Sequence, residues 1–415
     1  MRAERVKIIE TILVAAGTKP CSFNRFLGAT LIVAGTTIGA GMLALPMTSA
    51  TAGFTSSTLL LIGMWAFMCF TALVTLEINL YFGEGASIAI LAEKVFGKFG
   101  KWIASASLLL LFYALLAAYI TGGSSFLKAG IESYTGTSIP FFLMAFPFTV
   151  GLGVFVNSCT QSVDYANRFI FLFKIIAFIA MVALLIPFVK TENLSENQGN
   201  LSSIWLAVPI FFTSFGFHGN IPSLINYIGP DPKALRSVII VGSLIPLGVY
   251  LLWQTVTLGI LSLSTIQSFG QENNAAVFIQ HLNAITQTDT LDWLTNIFAF
   301  LAIATSFLGV AIGLFDYTAE TLKKNNTPKN RFQTSLITFL PPLFFALFYP
   351  DGFILALGYA AIALSVLAVL VPIAISIRLR YLPWSTYQVK SNIIILGIAF
   401  LIGIGIIVIE VINWF

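Results

Sequence analysis

Eleven apolar stretches of membrane-spanning length constrain the fold more than any other feature of this 415-residue sequence. A helix needs about 20 mostly apolar residues to cross a bilayer. We number the stretches as segments 1 to 11, covering residues 26–49, 56–81, 102–126, 139–158, 166–189, 203–227, 236–262, 291–318, 333–349, 353–379 and 391–414. The sequence therefore predicts an all-α polytopic membrane protein with 11 transmembrane helices.

The overall composition supports this prediction. The chain is 58% hydrophobic and 9% charged, whereas soluble domains are typically about 25% charged. It has no Lys/Arg-rich block for nucleic acid. Its three cysteines, Cys21, Cys69 and Cys159, form no CxxC or Cys/His cluster, so we expect neither a disulfide nor a metal site. The lipid bilayer is the expected surrounding, and no protein partner is implied.

The distribution of basic residues predicts the orientation. Consecutive segments cross the membrane in opposite directions, so their connections alternate between its two sides. Of the 21 Lys and Arg residues, 18 lie on one side, in the connections or at the adjoining segment ends, and only Lys128, Lys174 and Lys190 do not. Basic residues are enriched on the cytoplasmic side. The N-terminus is therefore expected in the cytoplasm, with residues 1–25 as a cytoplasmic extension, and the C-terminus outside. Residues 84–100 have apolar residues at helical spacing and are predicted to lie along the membrane surface.

Two of the segments are interrupted by glycine and proline. Segment 1 contains VAGTTIGAGMLALP (33–46), and segment 6 contains FFTSFGFHGNIPS (211–223). Because segment 6 must run opposite to segment 1, residues 26–189 and 203–379 are predicted to form two inverted repeats, with 391–415 as an eleventh helix. Paired interrupted segments indicate the binding site of a secondary transporter. The alternative is that the small residues only allow close helix packing.

An interrupted helix exposes backbone groups that can bind a zwitterion. Freed N–H groups at the start of the second half-helix attract a carboxylate, and carbonyls at the end of the first half can accept from an ammonium. This pattern favours an amino-acid-like substrate. The candidate substrate-binding residues are Thr36, Thr37, Gly39, Ala40, Gly41, Ser214, Phe215, His218 and Asn220.

Five stretches also resemble a known family. They are VAGTTIGAGMLALP, FTSFGFHGNIPS, ATSFLGVAIGLFDY (304–317), TFLPPLFFALFYPDGF (338–353) and LGYAAIAL (357–364). Together they resemble the hydroxy/aromatic amino acid permeases of bacteria, a family of the amino acid/polyamine/organocation superfamily. TTIGAGML and FTSFGFHG are more similar to its tyrosine branch than to its tryptophan branch.

The resemblance implies a LeuT-like five-plus-five inverted repeat in the bacterial inner membrane. It also implies proton-driven import of an aromatic amino acid, with tyrosine favoured and with the proton gradient in place of any cofactor. A tryptophan or broader aromatic permease, or a sodium-coupled symporter, remains an alternative. An aromatic ring would need a slot, for which Phe215, Phe217, Tyr113 and Tyr119 are candidates, with Phe215 the first choice.

Ionisable residues inside a bilayer are functional candidates because they are costly to bury. Lys174 lies well inside segment 5, and relatives imply that such a lysine replaces the cation that sodium-driven cousins bind beside Thr305 and Ser306. We expect these three residues to couple the proton. The alternative for Lys174 is an extended side chain that reaches the interface.

The other ionisable residues are one alternative proton carrier, one expected ion-pair residue and two residues expected outside the site. His218 is the rival proton carrier because it lies beside the segment 6 break. Glu77 is expected in a gating or structural ion pair. Asp316 and Glu410 lie close to segment ends, are expected to reach the interface, and are left out of the site.

Two other classes fit poorly. A membrane-embedded enzyme would need a catalytic constellation, and the sequence has no HExxH, no GxSxG and no acidic cluster within a segment. A channel would need a pore filter, usually formed by several identical subunits. Paired interrupted segments in one long chain favour a transporter instead.

The charge distribution makes a direct prediction about the loop between segments 7 and 8. An epitope inserted within residues 263–290 should bind antibody on the outer face of intact spheroplasts, because the loop contains no Lys or Arg. An epitope in the basic stretch 322–331 is the matched control and should require permeabilisation. The reverse pattern would contradict the orientation.

Overall fold

A computed structural model describes residues 22–83, 85–158, 160–196, 203–262, 275–286, 289–323, 327–381 and 387–414. The described residues form helices and turns and contain no strand. Most of the N-terminal extension, and the predictions for Cys21 and Cys159, lie outside this range.

Every predicted segment contains a helix. Segment 1 is formed by Phe23–Thr37 and Gly41–Ser49, and segment 6 by Ile204–Thr213 and Ile221–Ile228. Segment 10 consists of Phe353–Ser365, a π-helical turn Val366–Leu370, and Val371–Leu379. The remaining segments, in order, are Phe54–Phe82, Ile88–Thr135, Phe142–Ser158, Thr160–Leu185, Pro232–Ile260, Asp289–Thr321, Pro328–Phe348 and Ile393–Ile412.

The number of spans by length is lower than predicted. Within the described residues, nine helices are long and apolar enough to cross a membrane, or ten if the bent halves of segment 1 count as one span. The helix of segment 4, Phe142–Ser158, has only 17 residues and falls short of the roughly 20 that a span requires. The polytopic, all-helical architecture is confirmed, whereas the count of eleven is not.

The ends of several segments are fixed by local hydrogen bonds. The Ser22 hydroxyl accepts from Arg25 N at the start of segment 1, and Asn392 Oδ1 accepts from Ile395 N at the start of segment 11. Such caps satisfy N–H groups that have no partner in the first turn of a helix. Segment 3 follows a kink at Gly97, whose φ of 68° is readily adopted only by glycine. The kink separates the helix predicted at 84–100 from the spanning part.

The helices pack around segments 1 and 6. The second half of segment 1 packs against the first half of segment 6, and the first half of segment 1 packs against the second half of segment 6. Segments 2, 7, 10 and 11 pack against this pair. The two interruptions therefore lie side by side within the bundle, where backbone groups are shielded from lipid.

Candidate functional site

Segment 1 is interrupted between Thr37 and Gly41. Ile38 leaves the helix with φ −71° and ψ 94°, and the two halves are bent by 49°. At Gly39, a Cβ atom would lie 2.5 Å from Ser306 Oγ of segment 8. A glycine is required there because any side chain would prevent this close approach of two segments.

Segment 6 is interrupted between Thr213 and His218. Its first half ends at Thr213, and a 3-10 turn, His218–Asn220, leads into the second half. Pro222 lies in the first turn of that second half, where its missing N–H removes no helical hydrogen bond. Both segments predicted to be interrupted are interrupted in the structure.

A cavity of about 110 Å³ lies between the two interruptions. Segment 1 contributes residues 36, 37 and 39–41 to its wall, and segment 6 contributes residues 213, 214 and 216. The opposite wall is largely apolar and comes from segments 3, 8 and 10, including Leu111, Leu115, Tyr119, Val310, Leu357 and Leu364. The cavity thus has a polar side of backbone and hydroxyl groups and a side suited to an apolar group.

The polar side contains backbone N–H groups from the start of the second half of segment 1. Ala40 N donates to Ser306 Oγ at 3.2 Å. The N–H groups of Gly39 and Gly41 have no hydrogen-bond partner in the described part of the chain, and both residues line the cavity. These groups can donate to an anion such as a carboxylate.

Lys174 connects the segment 1 interruption to segment 8. Its side chain is only 1% exposed, and Nζ donates to Ile38 O at 2.8 Å and to Thr305 Oγ1 at 3.2 Å. The ammonium also lies 4.8 Å from the centroid of the Phe171 ring, a favourable cation–π distance. The alternative of a lysine extended to the interface is wrong, because Lys174 turns inward to the break.

Tyr250 of segment 7 is the residue that sequence reasoning missed. Its hydroxyl lies 2.5 Å from Thr37 O and 3.1 Å from Ser214 O, and its side chain is fully buried. One hydroxyl therefore bridges both interruptions. The available signal was its depth, since a tyrosine near the middle of an apolar span needs an internal hydrogen-bond partner.

Three predicted substrate-binding residues lie outside the cavity wall. His218 Nε2 is hydrogen-bonded to Thr71 Oγ1 at 2.8 Å, and Phe215 packs edge-on against Tyr250 with centroids 5.4 Å apart. Asn220 Nδ2 donates to Thr36 Oγ1 at 2.6 Å. His218 and Phe215 are thus packed among protein groups, while Asn220 contacts a residue that lines the cavity.

The other aromatic candidates for contact with a substrate ring lie in different places. Tyr119 lines the cavity, whereas Tyr113 donates to Ile337 O of segment 9 at 3.0 Å. Phe217 is buried, and its ring lies beside that of His218, with centroids 5.3 Å apart. Among the four aromatic candidates, only Tyr119 is placed where a ring in the cavity would contact it.

Glu77 forms an ion pair away from the cavity. Both of its carboxylate oxygens lie 3.2 Å from Arg380 Nη2, and it also accepts from Ser376 Oγ at 2.8 Å and from Val389 N at 2.6 Å. The cluster joins the end of segment 2 to the end of segment 10 and to the linker before segment 11. Glu77 is fully buried, so these four hydrogen bonds, from three donor groups, compensate its charge.

One expectation about the remaining acidic residues is wrong. Asp316 is exposed, as expected, but Glu410 is only 5% exposed and does not reach an interface. Its carboxylate packs against Gly358 of segment 10 and accepts from Trp414 Nε1 at 3.1 Å. The glycine leaves room for the carboxylate where sequence position alone suggested solvent.

Two interrupted membrane segments that meet at a small, partly polar cavity are typical of secondary transporters. Residues 22–410 match the model of the tryptophan/tyrosine permease family, and the chain belongs to that family. It is an aromatic amino acid permease, a transporter and not an enzyme.

Individual relatives are similar over nearly their whole length. The tyrosine-specific transport system 1 of Haemophilus influenzae is 41% identical over 384 residues, which cover 90% of this chain and 95% of the relative. Tyrosine-specific transport system 2 of the same organism is 39% identical, with 94% and 97% covered. A tryptophan-specific transport protein of Pseudomonas aeruginosa is 34% identical, with 83% and 84% covered.

The ion pair generates a stability prediction. Arg380→Met should destabilise the folded protein by about 3 kcal/mol, because breaking a buried pair leaves one charge uncompensated. The double variant Glu77→Gln/Arg380→Met should regain most of that loss. Thermal unfolding in detergent measures both variants. Arg378→Met removes an exposed arginine two residues away and is the control; equal losses from the two arginine variants would contradict a structural role for the pair.

Proposed function

We propose that this permease imports L-tyrosine with a proton by alternating access. The observation that supports it most is the constellation at the two interruptions. Residues with unpaired N–H groups and with carbonyls from both interruptions line one cavity that also has an apolar wall, and the buried Lys174 binds Ile38 O within the segment 1 interruption. These are the groups needed to bind a zwitterion with a ring and to respond to a proton.

The substrate's backbone would bind at the interruptions. We assign the carboxylate to the N–H groups of Gly39 and Gly41, since the positive end of the half-helix dipole also lies there. The ammonium is assigned to carbonyls at the ends of the first half-helices, chiefly Thr37 O and Ser214 O. Ser214 lines the cavity beside Thr36 and Thr37, which supports this part of the predicted binding set.

The ring would occupy the apolar side of the cavity. Tyr119, Leu111 and Leu115 of segment 3 line that space together with Leu357 and Leu364 of segment 10. Tyrosine is favoured over tryptophan because the two tyrosine-specific relatives reported above are 41% and 39% identical, against 34% for the tryptophan-specific one. A tryptophan or broader aromatic permease is the alternative that the uptake test separates.

Lys174 is assigned the coupling role. Burial in a low-dielectric interior disfavours a charge, so the ammonium depends on Ile38 O and Thr305 Oγ1 for its stability. The protonated lysine holds the segment 1 interruption to segment 8, and the neutral lysine is a weaker link. A sodium ion beside Thr305 and Ser306 would repel this ammonium, which argues against sodium coupling.

The packing pattern supports a LeuT-like five-plus-five repeat. Segment 3 packs on segments 4, 8 and 10, and segment 8 packs on segments 9, 3 and 5. Segment 1 packs on segment 7, and segment 6 packs on segment 2. Each of these contacts recurs when every segment is replaced by its counterpart in the other repeat, so that segment 3 corresponds to segment 8, segment 4 to 9, segment 5 to 10, segment 1 to 6 and segment 2 to 7. We therefore assign residues 26–189 and 203–379 to two inverted repeats and 391–415 to the added helix.

Contacts between segment ends support eleven spans. Arg331, just before segment 9, donates to carbonyls of Val156 and Asn157 at the end of segment 4. Glu77 and Arg380 join ends that the prediction also places on one side. We assign that side to the cytoplasm of a bacterial inner membrane, from the positive-inside rule.

Uptake into proteoliposomes tests the proposal. Radiolabelled tyrosine should accumulate when the lumen is alkaline, by about tenfold per pH unit for one proton per substrate. Excess tryptophan and phenylalanine should compete more weakly than tyrosine, and leucine should not compete. Adding sodium at fixed pH should change nothing.

The controls are a protonophore, which should abolish accumulation, and liposomes without protein. Tryptophan accumulation that exceeds tyrosine accumulation would contradict the preference for tyrosine and favour a tryptophan or broader aromatic permease. Uptake that follows sodium and ignores the pH gradient would contradict proton symport.

A further inference from the structure

Tyr250 has a position that packing alone does not explain. It lies in the middle of segment 7 and is fully buried. Its hydroxyl lies between Thr37, the last helical residue before the segment 1 interruption, and Ser214, which directly follows the first half of segment 6. The distances from Oη are 2.5 Å to Thr37 O and 3.1 Å to Ser214 O. Among the described residues, no other hydroxyl from outside segments 1 and 6 is hydrogen-bonded to both of them.

The hydrogen-bond capacity of these groups limits what Tyr250 can do. A phenol has a single proton to donate, and each carbonyl oxygen has two lone pairs. The hydroxyl therefore shares one proton between two acceptors and leaves each carbonyl able to accept another bond. An ammonium group has three N–H donors, so it can bind both carbonyls while Tyr250 remains in place.

The ring of Tyr250 packs against a buried aromatic residue of segment 6. Phe215 is fully buried and packs edge-on against it, with the ring centroids 5.4 Å apart. Phe215 follows Ser214 directly, so the segment 6 interruption itself supports the tyrosine that binds its carbonyl. This arrangement gives Phe215 a role in packing rather than in contact with a substrate ring.

We propose that Tyr250 is a positioning residue that orients the carbonyls of Thr37 and Ser214 toward the substrate's α-ammonium. By holding one carbonyl from each interrupted segment, it sets the separation between the two halves of the ammonium site. The inference rests on the proposed function, since it assumes a zwitterionic substrate bound at the interruptions.

Binding of two ligands to the full-length protein in detergent tests the proposal. The ligands are tyrosine and 3-(4-hydroxyphenyl)propanoate, which lacks only the α-amino group. Tyr250→Phe should weaken tyrosine binding about tenfold and leave binding of the deamino acid within twofold of wild type. The preference for tyrosine over the deamino acid should therefore fall about tenfold. A merely structural role would weaken both ligands alike.

Two further variants complete the test. Tyr113→Phe is the matched control, because its hydroxyl also donates to one backbone carbonyl between segments but lies away from the interruptions; it should change neither affinity. Tyr250→4-aminophenylalanine restores N–H donors on the same ring and should bind tyrosine within threefold of wild type. This variant keeps the proposal testable if Tyr250→Phe does not fold.

The outcomes are distinct. An unchanged or tighter tyrosine affinity in Tyr250→Phe, an equal loss for both ligands, or a tenfold loss in the 4-aminophenylalanine variant would each overturn the positioning role. Those results leave the proposed function intact, provided that wild type binds tyrosine. A wild-type protein that binds no aromatic amino acid would overturn the proposed function and this inference together.

Discussion

Backbone polar groups inside a bilayer must be paired within the protein, and the rest of this site follows from that constraint. An interrupted helix leaves N–H and C=O groups without their helical partners. Here three side chains bind four of them: Lys174 binds Ile38 O, Tyr250 binds Thr37 O and Ser214 O, and Ser306 accepts from Ala40 N. Gly39 and Gly41, whose N–H groups have no partner in the described part of the chain, line the cavity, where a ligand can bind them.

The supporting side chains come from three different segments. Lys174 lies on segment 5, Tyr250 on segment 7 and Ser306 on segment 8, so the geometry of the two interruptions depends on the packing of all three segments. In the proposed mechanism, this arrangement would link occupancy of the cavity to the relative positions of these segments. A change at Lys174, for example loss of its proton, alters the link between segments 1 and 8 without any direct contact with the ligand.

Sequence predicted the parts of the site that depend on local rules. Gly39, Gly41 and Pro222 interrupt apolar runs, and Lys174 stands out because a lysine deep in a span is costly. The depth of Tyr250 in an apolar span indicates only that its hydroxyl needs an internal partner; only the fold brings it to both carbonyls. Phe215 was expected to contact a substrate ring because of its neighbours along the chain, whereas its buried side chain packs on Tyr250.

The central claim is that the proton moves with tyrosine through Lys174. Its most direct test is a pH-sensitive dye trapped in proteoliposomes that are given external tyrosine at equal pH on both sides. Wild type should acidify the lumen. Lys128→Ala, the control for Lys174→Ala, should acidify it as well. Lys174→Ala should still exchange labelled tyrosine for unlabelled tyrosine yet move no protons. Tyrosine-dependent acidification that persists in Lys174→Ala would contradict the account and assign the proton to another group.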